Sequence, residues 1–205
     1  MSHVSDAIKE RRSVRKYLAY PVPKEAIEEV LVAAGWAPSA HNAQPWRFII
    51  LEDGLVKREL AEAMAESWAV DIAKDGLNIE PEKFKFRVDR LSTSPVLILA
   101  CFTMDGMDTF SDEKRQKCER DLAMQSLAAA LENLLLSAHA KGLGACWFCA
   151  PGFCKETVRK VLKIPVDVEP EALIAMGYPA EESPFPSKKS LGDYCFRDKW
   201  GVKFS

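Results

Sequence analysis

Residues 95–102 read PVLILACF, a run in which every position is apolar. A strand with one face in water alternates apolar and polar residues, so a continuous apolar run predicts a strand that is covered on both faces. Three further strands are predicted over residues 46–51, 144–149 and 172–176. Helical patterns separate these strands, and the chain is therefore predicted to be an α+β protein with helices layered on one sheet.

Five helices are predicted from apolar residues at helical spacing, over residues 4–12, 24–35, 55–74, 112–141 and 155 to just before Pro165. The fourth is apolar nearly all round from Leu122 to Ala140, so it must be buried on most of its faces. In a chain of this size, the expected neighbour is a second copy of the same chain.

Size and composition favour a single domain, residues 1–205, of ordinary globular type, with 48% hydrophobic and 28% charged residues. Polar residues 75–93 are predicted to form a mobile cap or lid. Residues 179–205 carry five aromatic side chains, four of them after Lys189, and are predicted to dock as an arm on the body or on a partner subunit. The net charge of −2 argues against bulk nucleic-acid binding. Neither a secretory leader nor a membrane span is indicated, so a cytoplasmic protein is expected.

Cys146, Cys149 and Cys154 have a spacing that metal and iron–sulfur sites also use. Two side chains three residues apart on a strand point to opposite faces, so Cys146 and Cys149 cannot both bind one ion while the strand is regular. A fourth ligand is also missing from this part of the sequence. Core packing is therefore the favoured interpretation, and no metal is predicted.

The segment RRSVR at residues 11–15 places Arg11, Arg12 and Arg15 close together. A guanidinium is a rigid charged fork that matches phosphate oxygens in two-point contacts. On a helix end, Arg11 and Arg15 would project from one face, and Ser13 would add a donor. The segment is either a cradle for a phosphorylated ligand or a solvated basic helix end, and spacing alone favours the second.

The segment APSAHNAQPW at residues 37–46 joins a helix to a strand, and its two prolines fix an extended loop. Its hydroxyl, imidazole and amide groups suit a heterocycle edge or the hydroxyls of a ribityl chain. They belong to Ser39, His41, Asn42 and Gln44. The alternative is a polar loop that satisfies its own backbone.

Four motifs in this order resemble the flavin-dependent nitroreductase family over almost the whole chain: residues 11–15, 38–46, 142–147 and 186–191. The resemblance implies a nitroreductase-like three-layer α/β/α sandwich with a central, mostly antiparallel sheet. It also implies an intertwined homodimer that binds FMN at the subunit interface. Residues 119–126, 134–140 and 146–154 look like the nitroreductase-like C-terminal domain of the deazaflavin-coenzyme glutamyl ligases. No ligase domain accompanies it in this sequence, so ligase activity is not expected.

The resemblance also implies roles for individual residues. The FMN phosphate, ribityl chain and pyrimidine edge would meet Arg11, Arg12, Ser13, Val14 and Arg15, with Arg15 as the positive group near N1 and O2. The second subunit would supply Pro38, Ser39, Asn42 and Gln44. The end of a strand, at Phe148, Cys149 and Ala150, would offer backbone N–H groups to flavin N5, and Lys188 or Lys189 would complete the phosphate site. His41 departs from the small or amide residue of many relatives and is predicted to pack against or bond to the flavin.

The expected activity is hydride transfer by a ping-pong mechanism from a reduced nicotinamide or deazaflavin to a small acceptor, such as a nitroaromatic, a quinone or a deazaflavin precursor. FMN carries the chemistry, so no catalytic side chain is predicted. A flavin or deazaflavin carrier with little turnover is the alternative. A third reading, an interaction module using the basic N-terminal helix, predicts no bound chromophore. Four aromatic residues either line the cap side of the pocket or simply pack, and packing is favoured for each: Trp68, Phe84, Phe86 and Phe110.

Overall fold

A single antiparallel sheet organises the computed structural model, which describes residues 4–204. The helices are α1 (Val4–Glu10), α2 (Lys24–Gly35), α3 (Gly54–Lys74), α4 (Pro81–Ser92), α5 (Glu113–Ala140) and α6 (Lys155–Leu162). The strands are β1 (Trp46–Leu51), β2 (Val96–Phe102), β3 (Gly144–Phe148) and β4 (Glu169–Gly177). Within residues 4–204, every helix is too short or too polar to cross a lipid bilayer.

The strand order is β1-β2-β4-β3, with every neighbouring pair antiparallel. The apolar run at residues 96–102 forms an inner strand that is buried at every position, as predicted. Helices α2 and α5 pack on one face of the sheet, and α3, α4 and α6 pack on the other. The predicted α/β/α sandwich is therefore confirmed.

Helix α5 shows why a long apolar helix can exist in so small a chain. Its inner side, including Leu127, Leu131 and Leu134, is buried against the sheet and α2. Its outer side is more open, and Met124 is 37% exposed within one chain. The second copy predicted to cover that side remains a prediction.

The basic segment differs from its predicted helical form. Helix α1 ends at Glu10, and residues 11–15 continue as extended chain beside β3. The Val14 N–H donates to the Ala145 carbonyl at 3.0 Å, and Ser13 forms a parallel bridge with Ala145. The prediction that Arg11 and Arg15 share a helical face is wrong, because pairing with the sheet edge replaces the last helical turn.

Residues 75–93 contain a helix that the sequence analysis did not assign. Helix α4 packs against α3, with Val88 and Leu91 buried and Phe84 partly buried against the same core. The role of this segment as a lid remains a prediction. The C-terminal arm is mostly exposed within one chain, and Trp200 stacks on Phe196 of the same arm at a centroid distance of 4.5 Å.

Glu169, the first residue of β4, anchors a cluster of charges. Arg120 Nε donates to its carboxylate at 3.0 Å and Lys155 Nζ donates at 2.9 Å, while Glu171 shares both cations. The hydrogen bonds from Arg120, and next those from Lys155, hold the pKa of Glu169 at about 2, although burial acts in the opposite direction.

We expect Glu169→Gln to lower the free energy of unfolding at pH 7 by about 1–3 kcal/mol, because the substitution removes hydrogen bonds to a charged group. A folded-state pKa below the unfolded value of about 4.5 stabilises the protein above pH 4.5, and this contribution is lost as the pH falls towards 2. Urea unfolding of both proteins between pH 7 and 2 should therefore show the difference narrowing below pH 4.5. Glu156→Gln, at an exposed carboxylate paired with Arg159, is the control and should cost less than about 0.5 kcal/mol. A constant difference across the pH range would contradict the assignment.

Candidate functional site

Three contacts fix the extended segment of residues 11–15 on the sheet edge. The hydroxyl of Tyr17 lies 2.6 Å from the Val14 carbonyl and 3.0 Å from that of Ala175, and it shares its proton between them. Burial raises the pKa of Tyr17 well above its usual value, so this hydroxyl remains a donor. Gly144 allows the segment to lie this close to β3, because a Cβ at residue 144 would lie 2.7 Å from the Val14 side chain.

The arginines on this segment hold donors that the described part of the chain leaves unused. The Nε atoms of Arg11 and Arg12 are buried without a hydrogen-bond partner among residues 4–204, and the nearest acid to Arg11 Nε is the Glu132 carboxylate at 3.6 Å. The rest of the Arg12 guanidinium already has partners nearby. Its Nη1 donates to the Lys9 carbonyl at 2.7 Å, and its Cζ lies 3.6 Å from the Phe185 ring centroid. A buried donor without an acceptor is costly, so a ligand that supplies acceptor oxygens fits here.

Two cavities open beside these arginines. One, of about 730 Å³, lies between residues 10–14, the end of α5 and residues 179–185. The other, of about 340 Å³, is lined by Arg12, Ser13 and Arg15 together with residues 181–186. Arg12 lines both cavities, whereas Arg11 lines the larger one and Arg15 the smaller one.

A third cavity, the α3–α4 cavity, has a volume of about 510 Å³ and lies where β3 ends. It is lined by the predicted cofactor residues Phe148, Cys149 and Ala150, and by parts of α3 and α4. Cys149 is exposed just beyond the strand, which corrects its predicted place inside a buried strand. The 3₁₀ turn Ala150–Phe153 begins here, and the first N–H groups of such a turn have no partner within it. Residue 151 is a proline without an N–H, and the Gly152 N–H donates to the Cys149 carbonyl at 3.2 Å, so Ala150 carries the N–H at the start of this turn that has no partner within it.

The sequence analysis missed two arginines of α4 that line the α3–α4 cavity. Arg87 lies 3.5 Å from the Trp68 ring centroid, and Arg90 lies 4.5 Å from that of Phe148. Burial lowers the pKa of both guanidiniums. The Nε of Arg90 and the indole Nε1 of Trp147, which also lines this cavity, are buried without partners among the described residues.

The other predicted aromatic residues are divided between the cavity and ordinary packing. Trp68 lines the α3–α4 cavity, whereas Phe84 packs in the core beneath α4. Phe86 is exposed, and Phe110 lies under Arg115 at 4.5 Å. Of these four residues, only Trp68 lines the α3–α4 cavity.

The loop at residues 38–44 is held in an unusual backbone conformation. His41, Asn42 and Gln44 have φ values of 56°, 53° and 47°, in the left-handed region that side chains other than glycine rarely adopt. Anchors on α5 hold the loop there. The Ala40 N–H donates to Ser126 Oγ at 3.1 Å, and His41 Nε2 lies 3.1 Å from the nearly buried carboxylate of Glu119. Such strain is typical of functional loops, and it presents the Asn42 and Gln44 amides at the surface.

This loop lies at the sheet edge opposite the arginine cradle of the same chain. It leads into β1, at one edge of the sheet, whereas residues 11–15 lie along β3 at the other edge. Three strand spacings of about 4.8 Å separate these edges by roughly 14 Å. Lys188 and Lys189 are exposed in the arm and line none of the three cavities described above.

Comparisons with known proteins identify the family of this chain. The family model described as the nitroreductase family matches residues 8–178. A protein of Archaeoglobus fulgidus, whose name pairs NADH dehydrogenase with NAD(P)H nitroreductase, is 30% identical over 93% of this chain and 94% of its own length. A 5,6-dimethylbenzimidazole synthase of Rhodospirillum rubrum is 29% identical over 89% of this chain and 84% of its own.

The fold comparison gives the same result. The solved structure of a Desulfovibrio desulfuricans protein in complex with FMN superimposes with a TM-score of 0.72 and 25% identity, covering 98% of this chain and 99% of that one. Since the family model spans most of the chain, this protein belongs to the nitroreductase family.

Proposed function

We propose that this flavin-dependent oxidoreductase passes electrons from a reduced nicotinamide or deazaflavin to a small acceptor, such as a nitroaromatic, a quinone or a deazaflavin precursor. FMN is its cofactor, and donor and acceptor use the same cavity in turn, which is a ping-pong scheme. The observation that carries the proposal is the arginine cradle beside open cavities, where the buried Nε of Arg12 has no acceptor among the described residues and that of Arg11 has only the Glu132 carboxylate at 3.6 Å. The nicotinamide is supported by the names of the relatives.

FMN fits the residues that surround these cavities. Arg11, Arg15 and Ser13 offer the fork-shaped and hydroxyl donors that phosphate and ribityl oxygens accept. From the cradle, β3 leads to the N–H groups at Cys149 and Ala150, where the ring would lie against the α3–α4 cavity. When bound, FMN supplies the redox chemistry by accepting a hydride from the donor and returning two electrons to the acceptor.

We further propose that the site is shared between two subunits. The strained loop at residues 38–44 carries amide and hydroxyl groups suited to a ring edge, yet it lies at the sheet edge opposite its own cradle. A second copy of the chain can bring its loop to the cradle. The Lys188 or Lys189 ammonium would reach the phosphate when the arm docks.

The visible spectrum of the purified chain tests the cofactor and the donor. We expect a two-band flavin spectrum that bleaches on addition of NADH, NADPH or a reduced deazaflavin, and parallel lines in double-reciprocal plots with two substrates. A flavin spectrum that none of these donors bleaches would support the alternative of a carrier. A colourless chain that takes up no added FMN would overturn the proposal.

Mixed dimers test the shared site. We expect an Arg11→Ala/Arg15→Ala chain and an Asn42→Ala/Gln44→Ala chain each to lose FMN as a homodimer. A heterodimer of the two, isolated with different affinity tags, regains one intact site, because one chain keeps its cradle and the other keeps its loop. FMN absorbance should give about one flavin per heterodimer, against two in the wild-type dimer. A heterodimer without FMN would place the whole site in one subunit.

A further inference from the structure

The α3–α4 cavity is lined mostly by apolar side chains and by two cationic ones. Ala61, Met64 and Leu91 contribute apolar surface, and Trp68 and Phe148 contribute aromatic rings. Arg87 and Arg90 lie on these rings, at 3.5 Å from Trp68 and 4.5 Å from Phe148. A guanidinium stacked on a ring keeps its N–H edge free, so the stacking fixes the direction of the donors without consuming them.

Neither arginine has an acidic partner within the described residues. Asp71 also lines the cavity, but its carboxylate is paired with Lys74 at 2.7 Å. The Nε of Arg90 is buried with no acceptor. Two neighbouring cations and one carboxylate that is already paired with Lys74 leave this mostly apolar cavity with an excess of positive charge, which is complementary to an anion that carries apolar surface of its own.

We propose that the α3–α4 cavity selects a planar aromatic substrate that bears an ionised acid group, a carboxylate or a phosphate, and that Arg87 and Arg90 hold the acid. This inference rests on the proposed function, because the cavity is a substrate site only if the flavin ring lies at Phe148–Ala150. Trp68 and Phe148 then pack against the aromatic part, and the acid fixes the orientation of the substrate. Arg87 is the specificity-determining residue, since it lines the α3–α4 cavity and neither of the two cavities beside the arginine cradle.

Binding of inert aromatic probes tests the proposal without any turnover. The purified chain, with its FMN content measured first, is titrated by calorimetry with benzoate, phenyl phosphate and neutral benzamide. We expect at least one of the two acids to bind about tenfold or more tightly than benzamide, the gain of one charge-assisted contact, and the preferred acid identifies the substrate class. Arg87→Gln should reduce that preference to less than about threefold, whereas Arg87→Lys, which keeps the charge, should retain most of it.

Lys85→Gln is the matched control, because Lys85 is an exposed cation of the same helix that does not line the cavity. It should leave the preference unchanged. Equal binding of the acids and benzamide would overturn the proposal, as would an Arg87→Gln chain that keeps the preference. An Arg87→Gln chain that loses FMN but keeps the preference would assign this arginine to the cofactor. If the wild-type chain holds no FMN, the proposed function fails, while the probe affinities still support or overturn the acid site.

Discussion

The Arg11→Ala/Arg15→Ala double variant is expected to bind FMN about 10²–10⁴-fold more weakly than the wild type. Each hydrogen bond to a charged group contributes about 1.5–3 kcal/mol, and the variant removes one such contact or more at each position. Neither guanidinium makes a close ion pair among the described residues of its own chain. Arg11 lies 3.6 Å from Glu132, and Arg15 Nη1 makes a long contact of 3.2 Å to the Ser13 carbonyl. Equilibrium dialysis, with free FMN detected by its fluorescence, measures the change in FMN affinity.

A loss of folding must be separated from a loss of the ligand. Arg58→Ala/Lys24→Ala is the matched control, because among residues 4–204 these exposed cations pair only with Glu62 and Glu28 on their own helices. It should retain FMN at the wild-type level. The melting temperatures of the FMN-free proteins should agree within a few degrees for the wild type and both variants, since exposed ion pairs contribute little. Undiminished FMN binding by the double cradle variant would remove the basis of the cofactor assignment.

The fold was largely predictable wherever the core alone determines the local pattern. The apolar run of β2 fits only a strand buried on both faces, and the periodic apolar residues of α2 fit only a helix with one buried face. The positions of both elements were therefore predicted to within one residue. Helix α4 was missed because its composition is polar. Its signal was present in the spacing of Phe84, Val88 and Leu91, with Pro81 at the first turn, a pattern that favours a helix with one narrow buried face.

The candidate site was predictable in its segments and less so in its geometry. The cradle at residues 11–15 and the loop at residues 38–44 are local motifs, and the sequence locates both. Whether residues 11–15 are helical depends on β3, some 130 residues later, because the Val14 N–H finds its acceptor there. The contribution of Arg87 and Arg90 depends on α4 docking beside the end of β3, and no local pattern reports that contact. The apolar run at residues 144–149 also predicts a buried Cys149, whereas β3 ends at Phe148, one residue earlier.

Gly144→Ala is expected to weaken FMN binding by about 10–100-fold through its effect on the neighbouring segment at residues 11–15. The added Cβ would lie 2.7 Å from the Val14 side chain, well inside van der Waals contact. Val14 is β-branched and buried, so it has little freedom to turn aside. Overpacking of this kind costs about 1–3 kcal/mol, and the strain would displace the extended segment that carries the arginines. Equilibrium dialysis with FMN and thermal unfolding measure the two consequences.

The reciprocal substitution shows whether this contact is the cause. In Val14→Gly/Gly144→Ala the methyl group added at residue 144 occupies space that the whole side chain of residue 14, including its Cβ, vacates, so the segment can return to its position. We expect the double variant to recover most of the FMN affinity, because the two substitutions act on one contact and are not additive. Gly35→Ala is the control, since a Cβ at Gly35 would meet no atom within 4 Å. If Gly144→Ala binds FMN as the wild type does, or if the double variant recovers nothing, the position of the arginines does not depend on this contact. The cradle would then be set by Tyr17 and the Val14–Ala145 hydrogen bond alone.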